Sequence, residues 1–437
     1  MKEIMEKVIN QVTDLKAESD LMLSTSKSLN MSAQNGAISK YQVSSSKLLG
    51  IRVIKDDKVG LSYTESFDDE SLRFMVKQAL QNAEISSANP HEKILELTGS
   101  ISDEMSVGEP EIDINLKTQK TLELEMGVKH LDPRVTAVPH NGYHESEYES
   151  FYMSSRGRQA HYLDKSYSIV TSALLDDKGK KANFDDFHMS YTFKDLQWNK
   201  IIETSLFHAR NILEEKTLPT GKYAVRFSED CLKNLIGCFS NLYSGKAAID
   251  KMNPWSDKIG AEVISKDISI VDHPLYVNSF RISKFDSEGV ERQPLTLIEN
   301  GVLKSLYHNS VTAKTFATTT SAHAVRSPGG PLGVGGTDLI ITGKNKKPLP
   351  QRYLEVIQMD GLYSGANRVS GTFSVAVKGY VWEGNERVMT FGNITLSGNL
   401  MEMLKNAEVV GEGLEASTDH SFFTAPLIFP GLSIAGA

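Results

Sequence analysis

Leu29-Asn30-Met31-Ser32-Ala33-Gln34-Asn35-Gly36-Ala37-Ile38-Ser39-Lys40-Tyr41-Gln42-Val43 is the stretch whose reading decides how this chain begins to fold. Asn35 and Gly36 both tolerate the positive φ that a two-residue hairpin turn requires, so the flanks are expected to pair as antiparallel strands. Working outward, residues 20–65 read as a β-meander with strands at 21–23, 29–33, 37–43, 49–54 and 59–63. Asp56-Asp57 marks its last turn. Upstream, Ile4, Met5, Val8, Ile9, Val12 and Leu15 recur every three or four residues and predict an amphipathic helix. Downstream, Leu72, Met75, Val76, Ala79, Leu80 and Ala83 predict a second. Asp68, Asp69 and Glu70 fall in its first turn, where the helix dipole favours negative charge.

Residues 86–115 are rich in Ser, Asn, Pro and Glu and read as a surface crossing. A third helix is expected over 118–131, strand-like patterning over 135–192, and a long helix over 193–215. Leu218-Pro219-Thr220-Gly221 breaks that helix, and the domain boundary is placed there: 1–217 and 218–437. The second half opens with a strand over 223–227, then Ser228 as N-cap of a helix over 229–243. Short strands follow at 263–264, 268–271, 295–298, 302–307, 339–341, 354–359, 372–382 and 388–396. Turn signals such as Asn300-Gly301 and Asp360-Gly361 separate them, and a helix is expected over 398–407. Residues 327–336, Ser-Pro-Gly-Gly-Pro-Leu-Gly-Val-Gly-Gly, read as a flexible loop. The fold class is therefore α+β: a mixed N-terminal domain with a β-meander and helices, then a β-rich C-terminal domain built as a barrel or a bent sheet.

The 437 residues are about three times the ~150 that serve as a prior for one domain. Hydrophobic residues make up 40% and charged residues 23%, which is globular rather than disordered composition. With 47 Lys+Arg against 55 Asp+Glu, the formal charge of −8 disfavours direct nucleic-acid binding, which needs cations to neutralise phosphates. Two cysteines, Cys231 and Cys238, allow neither a disulfide framework nor a four-cysteine zinc site. No run of eighteen apolar residues offers a membrane span, and the N-terminus has no signal-peptide core. The expected compartment is the cytoplasm.

No motif in the chain announces an active site. Two of the 11 histidines precede a glutamate, in His91-Glu92 and His144-Glu145, but neither has the second histidine that a zinc helix needs. There is no Gly-x-Ser-x-Gly elbow. Cys231 and Cys238 lie on the apolar face of a predicted helix, where cysteine is ordinarily core. Ser244-Gly245-Lys246-Ala247 lacks most of a P-loop, and Gly333-Val334-Gly335-Gly336 does not link a strand to a helix.

Longer motifs carry more. Phe285-Asp286-Ser287-Glu288-Gly289-Val290, Gln293-Pro294 and Leu297-Ile298-Glu299-Asn300-Gly301-Val302-Leu303-Lys304 resemble the hallmark segment of the TldD/PmbA family. So do Ser370-Gly371-Thr372-Phe373, Gly379-Tyr380-Val381-Trp382-Glu383-Gly384, Ile394-Thr395-Leu396-Ser397-Gly398-Asn399-Leu400, the closing residues 430–436, and Gly50-Ile51-Arg52-Val53 near the start. The resemblance runs over nearly the whole chain. It implies a link to modulators of DNA gyrase and to the TldD–TldE metalloprotease, whose TldE subunit is also called PmbA. In TldD-type subunits a His-Glu-x-x-x-His helix holds the metal, with a further cysteine near the C-terminus.

By that resemblance the His, Glu and His positions fall on Gly237, Cys238 and Leu242, and no cysteine stands near the C-terminus. Three ligands and their oriented supports cannot be met by Gly, Cys and Leu. The resemblance therefore points to a TldE/PmbA-type, non-catalytic subunit of a heteromeric metalloprotease acting on unfolded or leader peptides. No catalytic or metal-binding residue is assigned to this chain, and zinc is expected in a TldD-type partner. The same surface that meets such a partner is expected to give a homodimer when the chain is alone. A peptide cleft is expected beside the β-rich elements, with Gly329, Gly330, Gly333 and Gly335 near its rim. Two alternatives stand beside this reading: a self-sufficient peptidase with a site invisible in sequence, and a regulatory binding protein acting on gyrase or toxin–antitoxin systems.

Overall fold

The computed structural model describes residues 1–105 and 108–436. The chain opens with α1 (Lys2–Asp14), whose Met5, Val8, Ile9 and Val12 are buried. Three strands follow: β1 (Glu18–Gln34), β2 (Ala37–Lys55) and β3 (Lys58–Thr64). The Asn35-Gly36 turn forms with both residues at positive φ, and so does Asp56-Asp57. The five short strands expected in the meander are thus three, two of them 17 and 19 residues long. The serine-rich middle of the hairpin reads as loop because it lacks alternation. It stays extended because ladder hydrogen bonds to a neighbouring strand need no buried face.

α2 (Asp69–Ile85) is capped by Asp68, whose carboxylate accepts the N–H groups of Glu70 and Ser71. The expected crossing at 86–115 contains a strand, β4 (Gly99–Met105), and residues 106 and 107 of it lie outside the described residues. Its partner lies far downstream and parallel, so no local hairpin signal marks it. α3 (Ile114–Leu131), β5 (Val135–Ala137), β6 (Asn141–Ser154), β7 (Arg158–Asp177), β8 (Lys180–Ser190) and α4 (Trp198–Leu213) complete the first half. The long helix expected from 193 begins instead with a 3-10 turn, Phe193–Asp195, before α4. The eight strands make one sheet in the order β3-β2-β1-β6-β7-β4, with β5 and β8 also on β7. α1 and α2 cover one part of it over Leu21, Leu23, Leu49, Ile51 and Val53. α3 and α4 cover another over Tyr143, Tyr167, Ile169 and Ala173. Each fully buried side chain of this size contributes ~1.5–3 kcal/mol.

The second half begins with β9 (Gly221–Phe227) and α5 (Glu229–Cys238). The helix expected to reach 243 ends at Cys238, and Ser240–Tyr243 tightens into a 3-10 turn. After α6 (Gly245–Ile249) come β10 (Ile268–Asp272), β11 (Leu295–Glu299), β12 (Val302–Leu303), α7 (Ser310–Thr315), β13 (Ala324–Val325), β14 (Gly333–Val334) and β15 (Leu339–Gly343). Then follow β16 (Arg352–Asp360), α8 (Leu362–Gly365), β17 (Thr372–Glu383), β18 (Glu386–Asn399), α9 (Leu400–Lys405), β19 (Glu408–Val409), β20 (Glu415–Ala416), β21 (Phe422–Thr424) and β22 (Leu427–Ala435). Val263 and Ile264 are buried but form no strand, and the strand expected over 302–307 stops at Leu303. β18-β17-β16-β9-β22 closes on itself through a β18–β22 pairing, a five-stranded barrel. A six-stranded sheet, β12-β11-β10-β15-β21-β20, packs beside it, and α5 lies in the shared core. The architecture is the expected α+β, with a β-meander in the first half and a barrel in the second.

Candidate functional site

α5 is the element on which the metal question turns. Ser228 caps it, accepting the Cys231 N–H, and Glu229 and Asp230 occupy its first turn. Its inner face, Cys231, Leu232, Leu235, Ile236 and Cys238, is buried. A cleft of about 550 Å³ opens over its C-terminal end, lined by Gly237 and Cys238. Tyr243, Tyr307, Gly336, Thr337, Met359 and Phe422 are among its other walls. Gly237 presents no side chain, and a β-carbon there would meet nothing within 4 Å. Leu242 is not on the helix and is wholly buried in the core behind it. Two of the three implied ligand positions thus reach the cleft, and the third faces away from it.

Behind the cleft sits a buried polar cluster that the sequence did not disclose. The Asp272 carboxylate accepts the Tyr307 hydroxyl at 2.9 Å and the Thr337 N–H at 2.7 Å, and the Thr337 hydroxyl also donates to it. His323 Nε2 lies 3.1 Å away, while its Nδ1 meets the Ser321 carbonyl at 2.6 Å. Nδ1 also lies 3.1 Å from the Ser321 hydroxyl, so the ring is fixed at both nitrogens. Burial alone raises the Asp272 carboxyl, but the hydrogen bonds and charge from His323, with those of Thr337, outweigh it and hold the group below its ordinary value. The cluster fixes Tyr307 and the Gly336-Thr337 wall of the cleft. Residues so far apart in sequence leave no spacing signal.

Among the described residues no three His, Cys, Asp or Glu side chains come together in a way that could hold an ion. Burial pushes the Cys231 thiol up to about 12, far from a thiolate. Glu145 is bound by Lys117 at 2.5 Å, while Glu92 lies 3.7 Å from Arg52 with its buried Oε2 making no hydrogen bond. His144 Nδ1 meets Asn30 at 2.8 Å. Burial pushes His308 down to about 4, with His323 adding to the effect.

The glycine-rich loop is placed elsewhere than the cleft, except at its end. Gly333 belongs to a ribbon with Ala324–Val325, and Gly335 packs on Val325. Gly330 sits against Ser327, and Gly329 against the ring of Tyr63 in the first half. Of residues 327–336, only Gly336 lines the cleft.

The hallmark segment 285–290 has a structural office. Asp286 accepts the N–H groups of Glu288, Val290 and Ala324, folding the segment into a turn. That turn presents Glu288 to the Ser310 N–H at 2.9 Å and to Arg52 at 3.5 Å. Arg52 pairs with Asp20 at 2.6 Å, and Arg326 approaches the other oxygen of Asp20 at 2.6 Å, all with buried side chains. Arg158 donates to the Gly289 carbonyl at 2.7 Å. The segment is thus the polar seam between the first-half sheet and the second half. An arginine inside the apolar run Gly50-Ile51-Arg52-Val53 is the one sequence signal that marks it.

Comparison with known proteins agrees with this arrangement. Three models of one family match in order: PmbA/TldA metallopeptidase domain 1 at residues 19–83, the central domain at 108–230, and the C-terminal domain at 220–436. A metalloprotease PmbA homolog of Haemophilus influenzae is 23% identical, over 95% of this chain and 92% of its own length. The metalloprotease PmbA of Escherichia coli is 20% identical, over 100% of this chain and 97% of its own. Among solved structures, a Thermotoga maritima protein described as a modulator of a DNA gyrase superposes with a TM-score of 0.88 at 22% identity, covering 99% of this chain and 100% of that one. TldE from Thermococcus kodakarensis does so with 0.83 at 20% identity and the same coverage. With all three domain models matched in sequence order along the chain, the protein belongs to the PmbA/TldD metallopeptidase family.

Proposed function

We propose that this chain is a TldE/PmbA-type subunit that contributes fold and surface, not a metal, to a heteromeric cytoplasmic metalloprotease processing unfolded or leader peptides. One observation carries the reading: at the end of α5 the cleft meets Gly237 and Cys238, while Leu242 points into the core. A site that needs three ligands and their second layer of hydrogen bonds does not work with part of the set. The retained cleft and the pinned Tyr307–Thr337 wall support a role in holding an extended peptide next to a partner's metal. The partner is a TldD-type homologue carrying zinc, and the chain alone pairs with itself.

The test is peptide cleavage by this chain, by a TldD-type subunit, and by the mixture. Cleavage should appear with the mixture, vanish when the glutamate of the partner's metal helix is replaced, and survive Cys238→Ser here. Cleavage by this chain alone that Cys238→Ser abolishes would sink the proposal.

A further inference from the structure

Residues 327–336 hold five glycines, at 329, 330, 333, 335 and 336, and none of them has a positive φ. Glycine is needed here for close approach, not for turning. A β-carbon on Gly329 would stand 2.7 Å from the Tyr63 ring. One on Gly336 would stand 2.5 Å from the Tyr307 hydroxyl and 2.9 Å from the Asp272 carboxylate. Between these two ends the segment is a ladder, not a coil. Ala324 pairs with Val334 and Val325 with Gly333, and the Gly335 N–H donates to the His323 carbonyl at 3.0 Å. The Asn309 amide donates to the Gly333 carbonyl at 3.1 Å. Asp286 and Ser287 accept the N–H groups of Ala324 and Arg326 at 3.0 and 3.2 Å.

Both feet of this ribbon stand on one carboxylate. Asp272 meets His323 Nε2 at 3.1 Å and accepts the Thr337 N–H at 2.7 Å. The tip reaches three neighbouring strands of the first-half sheet. Arg326 meets Asp20 of β1 at 2.6 Å, with both side chains sealed from solvent. Pro328 lies against Gly50 of β2, and Gly329 against Tyr63 of β3. We propose that residues 323–337 are a strap through which the first-half sheet positions the Gly336-Thr337 wall of the cleft, with Arg326 and Pro328 as its positioning residues. A coil absorbs a displacement of its tip. A hydrogen-bonded ribbon, packed without slack at both ends, passes it on. The inference goes beyond the peptide reading and holds whatever the cleft takes up.

The experiment follows hydrogen exchange in the full chain by mass spectrometry. Gly50→Ala lies in the first half and outside the cleft lining, and it pushes on the Pro328 carbonyl. It should speed exchange across 333–337, the Thr337 N–H included, at least about tenfold. Glu125→Ala disturbs the same half at the hairpin tip, where Glu125 binds Asn35 and Gly36, and should leave 333–337 at the wild-type rate. Gly329→Ala is a milder push, against a Tyr63 ring that is 59% exposed, and carries the same expectation should Gly50→Ala fail to fold. Wild-type exchange at 333–337, with or without faster exchange at 326–330, would show that the tip yields by itself and would overturn the proposal. Equal acceleration in Glu125→Ala would mean general loosening and would overturn it as well. Neither result bears on cleavage by the mixture with a TldD-type subunit, so the strap and the heteromeric reading fail separately.

Discussion

Gly50 and Pro328 meet backbone to backbone: a β-carbon on Gly50 would stand 1.7 Å from the Pro328 carbonyl oxygen. One residue lies in a first-half strand and the other in the glycine-rich loop of the second half. The contact leaves no flexible side chain to give way, so the seam between the halves depends on the missing methyl group. Gly50→Ala should destabilise the fold by ~1–3 kcal/mol, the usual cost of overpacking. Urea unfolding monitored by tryptophan fluorescence measures it, and an unchanged midpoint would refute the close contact.

Gly237 predicts the opposite. A β-carbon there meets open space, and glycine inside a helix costs ~0.5–1 kcal/mol against alanine. Gly237→Ala should raise the unfolding midpoint slightly. A loss of stability would mean that the end of α5 is not open to the cleft.

Glu288 bridges Arg52 and the Ser310 N–H in the buried seam. Glu288→Ala leaves Arg52 with less counter-charge and Ser310 without its acceptor. Removing one partner of a buried ion pair costs ~3–5 kcal/mol, so this variant should lose more than Gly50→Ala. Limited proteolysis should then cut between the halves faster than in the wild type.

Two buried carboxyls give stability a pH dependence. Burial, with the charge of Glu288 adding, pushes Asp286 up to about 6. Burial, with the charges of Asp272 and Asp419 adding, pushes Asp338 up to about 7. A folded-state pKa above the unfolded one means that the native state holds protons which the unfolded chain releases. The stability this provides is complete below the unfolded value near ~3.8 and is lost as pH rises through 6 to 7. His308 and His208, both held down to about 4, pull the other way as pH falls through the unfolded histidine value, so the carboxyl contribution is read by difference: between pH 7.5 and 5.5 Asp338→Asn should gain less melting temperature, or lose more, than the wild type. Asp272 and Asp419, held below their ordinary value, act only at lower pH, where their contribution is lost.

The hairpin tip is held from outside. Glu125 of α3 accepts the N–H groups of Asn35 and Gly36 at 2.8 and 3.0 Å. Glu125→Ala should cost ~1–3 kcal/mol and speed amide exchange at those two residues above all others in β1 and β2. Uniform acceleration along the hairpin would contradict a local clamp.

The sequence by itself determined whatever local chemistry dictates. The Asn35-Gly36 and Asp56-Asp57 turns, the acidic start of α2, the capping of α5 by Ser228, and the buried stripes of α1 and α4 follow from φ preferences, the helix dipole, orphan N–H groups and periodicity. Each acts within a few residues. Gly, Cys and Leu at 237, 238 and 242 are read directly from the chain, but their link to a ligand set rests on the family resemblance alone. Only the tertiary structure decided the rest. β4 pairs in parallel with a strand far along the chain, and Asp272, Tyr307, His323 and Thr337 converge from separate elements. Gly50 touches Pro328 across the seam, and the helix expected to reach 243 stops at Cys238 and tightens into a 3-10 turn. Those outcomes depend on which distant surfaces exclude water and satisfy one another's buried polar groups, and no local stretch of chain encodes that.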